Sequence, residues 1–378
     1  MNVYLDYAAT TPLDPQVLEA MLPFLRGDFA NASSLHGDGQ RARRAVESAR
    51  EEVAQTVGAQ PKELIFTSGA TEADNHALRA VAQLQPGQHI VTSALEHSAV
   101  LTTCKALEQS GHPVTYLKPN QHGEVTPDAV KDALRPDTAL VALMFVNNET
   151  GVITDITAIS RVVHGAGALL FCDAVQAFGT LDVDVKALGA DMLALSGHKA
   201  YGPKGVGVLY VKEGLELPPF LLGGEQERGL RAGTLNVPAI VGMGKAAELA
   251  RERLAEDKEV LTPLRDRLAH HLLQIEGVTL NAAHAPRGPK HVNVSVAGAD
   301  GEALLMGLDS RGIAASSGSA CAAGTLEPSH VLLAMGLPYA RAKASVRFSL
   351  GRGVTEEMLD YTADAFAEVA GRARLFAA

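Results

Sequence analysis

Cysteine is scarce in this chain of 378 residues, which has three. An odd, small number in a long chain does not make a disulfide framework, so a reducing, cytoplasmic setting is expected. Long apolar runs are missing as well. The longest, residues 139–146, is far too short to span a bilayer. The amino-terminal MNVYLDYAATTP has neither a basic region nor an apolar stretch of the signal-peptide kind. Positive charge is in deficit, with 33 Lys and Arg against 43 Asp and Glu and a net charge of −10. That balance argues against nucleic acid or an anionic membrane as the main partner. No internal repeat or low-complexity segment is present. What remains, 47% hydrophobic and 20% charged, is an ordinary soluble globular composition. The length suits roughly two domains of about 150 residues.

Two stretches carry chemistry. In SGHKAYGPKGVG, residues 196–207, Lys199 follows the apolar run ADMLALS and precedes Gly202, Pro203, Gly205 and Gly207, which break regular structure. An amine at a buried strand's end is partly desolvated, which lowers its pKa and suits it to form a Schiff base with a carbonyl. Ser196 and His198 bracket it with groups able to hydrogen-bond an anion. The same stretch also reads as a glycine-rich turn with an incidental lysine. In LLFCDAVQAFG, residues 169–179, another apolar run ends on Asp173. A carboxylate there needs a cationic partner, and a protonated pyridine nitrogen would be one. A strand-end Asp followed by a strand-end Lys is the layout of pyridoxal 5'-phosphate (PLP) enzymes, in which the Lys carries the aldehyde and the Asp keeps the ring nitrogen protonated.

Along the chain, residues 3–6 read as a short strand, residues 16–25 as a helix and NASSLHG, residues 31–37, as a polar loop. Residues 39–57 read as an amphipathic helix whose arginines form a solvated face. The turn Ser68-Gly69-Ala70-Thr71 lies between a strand and a helix, where free N–H groups and the dipole favour an anion such as phosphate. Thr71 and Asp74 also match a self-capping box. His97 falls just past the strand of HIVTSALEHSAV, on the side where open parallel sheets bind ligands. Residues 113–117, 139–146 and 206–211 continue the strands. The alternation of the first two with helices calls for a parallel, right-handed, doubly wound sheet. From Pro238 a long helical pattern runs on, with a break at Pro263, into a smaller α+β part. Cys172 reads as an inert core residue, Cys104 has no assigned role, and Cys321 is set among small side chains that leave sulfur accessible.

DAVQ and SGHKxYGPKGVG resemble the motifs of the class V aminotransferase superfamily. SSGSAC, residues 316–321, resembles that of the group I cysteine desulfurases of NifS/IscS type. The likeness runs from YLDYAATTP at Tyr4 to VRFSLGR at Val346. One departure is Ala32, where the family usually has proline; it removes no functional group. The resemblance implies an α/β, fold type I PLP-dependent transferase with a mostly parallel doubly wound sheet. Residues 13–250 would form the large domain, and residues 1–12 with 251–378 the small one.

The resemblance also implies residue roles. The PLP phosphate would sit on backbone N–H groups of the turn at Ala70 and on the Thr71 hydroxyl, with Ser196 and His198 nearby. Asp173 would hold the ring nitrogen, Gln176 the phenolic oxygen, and His97 would stack on the ring. Asn148 would lie beside the ring and the substrate carboxylate, which Arg347 would bind. Residues 221–237 would cross to a second subunit, where Thr234 completes the partner's phosphate site, making a homodimer. The implied reaction converts L-cysteine to L-alanine and leaves a persulfide on Cys321. That sulfur would pass to an acceptor such as an iron–sulfur scaffold or a tRNA-thiolation protein. No metal is expected. A selenocysteine lyase or a class V aminotransferase is the alternative enzyme, and an inactive sulfur-carrier or regulatory partner the alternative non-enzyme. Intact Lys199, Asp173, His97, Cys321 and Arg347 argue against the last.

Overall fold

The structure, a computed structural model, describes residues 1–317 and 327–376. Its strands are β1 (Val3–Tyr4), β2 (Leu64–Thr67), β3 (His89–Ser93), β4 (Val114–Leu117), β5 (Thr138–Met144), β6 (Leu169–Asp173), β7 (Met192–Ser196), β8 (Gly207–Val211), β9 (Val278–Leu280), β10 (His291–Val296), β11 (Ile313–Ala314) and β12 (Ser345–Ser349). Seven of them form one sheet in the order β2-β8-β7-β6-β5-β3-β4. β4, β3, β5, β6 and β7 run parallel, and β8 is antiparallel to both of its neighbours. This is the mostly parallel sheet expected from the alternating pattern.

The apolar runs become strands because both faces of the sheet are covered. Along them the side chains alternate between two hydrophobic clusters. Leu143, Leu170, Cys172, Leu193 and Leu195 join one, while Leu140, Ala142, Phe171, Met192 and Ala194 join the other. Parallel strands all end at the same edge, so the polar residues closing each run collect there.

A second, antiparallel sheet has the order β12-β10-β9, and β1 pairs in parallel with β11. Val3, Leu5 and Tyr7 pack with Val292, Val294, Val346 and Phe348 in a separate cluster, so the amino-terminal residues belong with the carboxy-terminal sheet. The helix Val237–Leu273 spans both parts: Ile240, Met243 and Ala247 pack in the large sheet's cluster, and Leu261, Leu264, Leu268 and Leu272 in the other.

Two expectations fail. The long helix does not break at Pro263. Proline removes the hydrogen bond to the Glu259 carbonyl, but both residues are exposed, so water can satisfy it while the buried leucines hold the opposite face. The arginines of the helix Gly37–Thr56 are not all solvated either: Arg50 is 3% exposed. Its Nη2 and Nη1 donate to Glu227 Oε1 and Oε2 at 2.7 and 2.9 Å, and its guanidinium lies 4.7 Å from the Phe66 ring centroid. Glu227 and Arg228 have φ of 47° and 58°, a strained pair of conformations in the segment that crosses this edge. No helix among the described residues is long and apolar enough to cross a membrane.

Candidate active site

The strand ends deliver Lys199, Asp173, His97, Gln176, Ala70, Thr71, Asn148, Ser196, His198 and Arg347 to the walls of one cavity of about 650 Å³. β7 stops at Ser196, and a 3-10 turn, Gly197–Lys199, swings the lysine inward. Lys199 Nζ donates to the carbonyl oxygens of Ala8 and Ala9, each at 2.7 Å. The turn is bolted to the amino-terminal segment: Thr11 N–H donates to the His198 carbonyl at 2.9 Å, and Tyr201 N–H to Thr11 Oγ1 at 2.8 Å.

Asp173 closes β6 and is buried. Burial pushes its pKa up, against the opposing pull of the Val175 N–H, which donates to Oδ1 at 2.9 Å, and of His97 and Lys199. Burial prevails, so the carboxylate lacks full compensation from the chain, and a cationic ring nitrogen in the cavity would supply it. His97 caps the helix Ser98–Gln109, its Nδ1 accepting from Ala99 N–H at 3.2 Å. Burial, more than the charges of Lys199 and His330, holds the ring's pKa down, and Asp173 opposes this. A neutral His97 with Nδ1 accepting carries its proton on Nε2.

The turn before the helix Ala70–Leu84 is not self-capped. Gly69 is the N-cap and makes no side-chain cap bond. Asp74 lies inside the helix rather than at its end, and Glu72 instead accepts from Ser68 N–H at 3.0 Å. A Cβ on Gly69 would meet nothing within 4 Å, which leaves the open cradle an oxyanion needs. His198 Nδ1 lies 3.1 Å from Thr10 Oγ1, and burial, with Lys199 and Lys204, lowers its pKa to about 4. Gln176 Nε2 donates to the Ala8 carbonyl at 3.0 Å, while its buried Oε1 has no partner among the described residues. PLP fits this set: an anion cradle at Gly69, an under-compensated carboxylate at Asp173, an amine at Lys199 and an unmet amide oxygen at Gln176.

Arg347 is brought in by β12. Its Nη2 donates to Asp6 Oδ1 at 2.7 Å and its Nη1 to the Asn148 carbonyl at 2.8 Å, while the buried Nε has no partner among the described residues. Its backbone pairs with Ser316, N–H to carbonyl, at 3.1 and 2.6 Å. Cys321 lies outside the described residues. Thr234 is exposed and does not line the cavity in this chain. Cys104 and Cys172 are fully buried, and burial raises the Cys104 thiol to about 12 and Cys172 well above its usual value.

Several residues at the site escaped sequence reasoning. Asp74, Glu149 and His330 line the cavity. Beside it, Glu96 is buried and its pKa is raised to about 8, burial outweighing the hydrogen bond that Ser93 Oγ donates at 2.6 Å. Its position beside His97 was the available signal. His330, 234 residues from Glu96, has its Nε2 3.0 Å from the Glu96 carbonyl, and nothing local in the sequence announces that meeting. The Ser329 hydroxyl donates to Glu149 Oε2.

Set beside known proteins, the chain matches the family of the class V aminotransferases. The description of that family matches residues 3–361, and the chain belongs to it. Among its relatives, the chain is 51% identical over 373 residues to the cysteine desulfurase IscS of Anaeromyxobacter dehalogenans, covering 97% of this chain and 92% of that one. It is 46% identical over 376 residues to the cysteine desulfurase IscS of Dictyoglomus turgidum, covering 99% and 95%. A solved NifS-like protein superposes with a TM-score of 0.93 at 37% identity, over 98% of this chain and 100% of that one. A NifS-like protein from Rickettsia africae gives 0.88 at 29% identity, over 98% and 99%.

Proposed function

We propose that the protein is a homodimeric PLP-dependent cysteine desulfurase that converts L-cysteine to L-alanine and leaves the sulfur as a persulfide on Cys321. The observation that carries this reading is the meeting of Lys199, Asp173, His97 and Arg347 at one cavity, with Ser316 paired to Arg347 and His330 lining the wall. In the sequence, Ser316 and His330 lie on either side of the stretch that contains Cys321.

When bound, PLP would supply an aldehyde for amines and an electron-withdrawing ring. Asp173 would hold the ring nitrogen protonated, and the turn at Ala70 and Thr71, with Ser196 and His198, would hold the phosphate. Gln176 would accept a hydrogen bond from the ring oxygen, and the neutral His97 would cover the ring face. Arg347, whose Nε has no partner among the described residues, would take the substrate carboxylate beside Asn148. The Lys199 amine would take and return the Cα proton. The Cys321 thiolate would bond to the substrate sulfur as the sulfur's bond to Cβ breaks. The carbon would keep the electron pair and be protonated, giving alanine. Thr234, exposed here, would complete the phosphate site of the partner subunit. An acceptor protein, such as an iron–sulfur scaffold, would then take the sulfur. The cluster that joins Val3, Leu5 and Tyr7 to the carboxy-terminal sheet supports a small domain made of 1–12 and 251–378 beside a large one at 13–250, with Val331, Leu332 and Met335 of the former packed against the large sheet's cluster.

Incubation of purified protein and PLP with L-cysteine tests the reading. Without reductant, alanine should form in a stoichiometric burst and stop. With dithiothreitol, alanine and sulfide should accumulate together. Alanine formation that requires an added keto acid would instead make the chain an aminotransferase.

A further inference from the structure

Asp6 is not among the residues that line the cavity, but it grips Arg347, which is. Its Oδ1 accepts from Arg347 Nη2 at 2.7 Å, and the two side chains are 20% and 3% exposed. Exposed ion pairs contribute little, whereas a guanidinium this buried needs its partner. The place of Asp6 is fixed by the backbone. It forms a parallel bridge with Ser349 of β12, the strand that carries Arg347. Ser349 N–H donates to the Leu5 carbonyl at 2.7 Å, Ala8 N–H to Ser349 Oγ at 2.8 Å, and Ala9 N–H to the Asp6 carbonyl at 3.0 Å. A guanidinium has five N–H donors in a planar fork. Asp6 and the Asn148 carbonyl take one each, which leaves three, and Nε–H, one of these, has no partner among the described residues. A ligand carboxylate can therefore bind without displacing Asp6. With Asp6 removed, the Asn148 carbonyl alone would restrain the fork, and a single hydrogen bond leaves it free to turn.

We propose that Asp6 is a positioning residue for Arg347: its carboxylate holds the guanidinium from behind the cavity wall, so that the fork's remaining donors stay aimed at the carboxylate of the amino acid substrate. The proposal deepens the desulfurase reading and rests on it, through the role given there to Arg347. Bidentate recognition of a carboxylate needs the fork held to within about 0.5 Å, which takes a second fixed partner besides the Asn148 carbonyl. Asp6 touches neither the cradle at Gly69 nor Asp173, so it sets affinity for the substrate carboxylate and leaves cofactor uptake alone.

The full-length protein loaded with PLP, titrated at one pH and followed by visible absorbance, tests this in wild type, Asp6→Asn and Asp6→Ala. The ligands are L-alanine, the reaction's product, and L-alaninamide, which keeps the amine and the skeleton but has no negative charge. The ratio of their dissociation constants isolates the carboxylate. Wild type should prefer L-alanine, and Asp6→Ala should lower that preference about tenfold or more, the loss expected for a charge-assisted hydrogen bond. Asparagine keeps an acceptor oxygen without the charge, so Asp6→Asn should lower it by about threefold. With L-cysteine, KM should rise by the same factors while kcat and the affinity for PLP stay within about threefold of wild type. A merely structural loss would weaken both ligands and PLP alike and leave the ratio unmoved. The proposal is overturned if the ratio in Asp6→Ala matches wild type, or if Asp6→Ala binds L-alanine more tightly, which would make Asp6 a competitor that the substrate displaces. Should Asp6→Ala fail to fold, a wild-type ratio in Asp6→Asn overturns it alone. Arg347→Gln separates the two readings: if it too keeps the wild-type ratio, Arg347 does not bind the carboxylate, and the role assigned to it falls together with the proposal. A wild type that takes up no PLP would refute the assigned function, and the proposal with it.

Discussion

The Arg352 guanidinium lies 4.3 Å from the centroid of the Tyr201 ring, two residues beyond Lys199. Arg352 N–H also donates to Tyr201 Oη at 2.6 Å, and its side chain grips Asp257 through Nη2 at 2.7 Å and Nε at 2.9 Å. Tyr201 has φ of 61°, a left-handed conformation that costs a bulky residue on the order of 1–2 kcal/mol. The clamp therefore holds the turn after Lys199 in a shape it would not adopt alone, and ties it to the long helix. Arg352→Met should lower stability by about 3–5 kcal/mol, because Asp257 is left buried without its cation. Urea unfolding checks this, and a loss under 1 kcal/mol would mean the clamp is ornamental.

Glu96 sets a pH dependence of stability. Its pKa is raised to about 8 in the folded protein against 4.5 for the ordinary side chain, mainly by burial. Between those values the unfolded chain has released this proton while the native state keeps it. Stability should therefore fall as pH rises through the window, by at most about 1.4 kcal/mol per unit from this group. Glu96→Gln removes the contribution, so its advantage over wild type should grow from pH 5 to 8 and then level off. Chemical denaturation across that range is the measurement, and a constant difference would contradict the assignment.

Lys199→Ala should fold but lose the visible absorbance that wild type acquires with PLP, because it removes the amine at the end of β7. A wild type that stays colourless after PLP is added would contradict both the cofactor assignment and the role given to Lys199.

The three cysteines should behave differently. Burial raises the Cys104 thiol to about 12 and Cys172 well above its usual value, so neither supplies thiolate at neutral pH. Cys104→Ser and Cys172→Ser should keep alanine production apart from a packing cost, while Cys321→Ser should release essentially none yet still bind PLP. Mass spectrometry after brief exposure to L-cysteine should place one added sulfur on Cys321. Added sulfur on Cys104 would refute this division.

Thr234 is exposed in the single chain, as a residue that serves a partner's site should be. Re-assorted subunits of Lys199→Ala and Thr234→Ala should regain activity through one hybrid site that carries both wild-type residues. Hybrid dimers with no gain over either parent would confine Thr234 to its own chain.

What the sequence determined by itself is local in origin. Apolar runs of strand length ending on Asp173, on Asn147 and Asn148, and just before Lys199 specify buried parallel strands. Because such strands share a carboxyl edge, those residues could be expected at one site before any coordinates existed. The amphipathic and capped helices follow from the same short-range periodicity. Only the tertiary structure decided which distant charges meet. Arg50 is buried because Glu227, 177 residues away, reaches it, and the long helix passes Pro263 because Leu261, Leu264 and Leu268 are packed in the smaller sheet's cluster. Asp74 reads as a cap in sequence and is a buried acid in the fold, since its surroundings come from the ends of β3 and β6. A side chain's charge state depends on its desolvation and its neighbours, and both are properties of packing across the chain that no local pattern encodes.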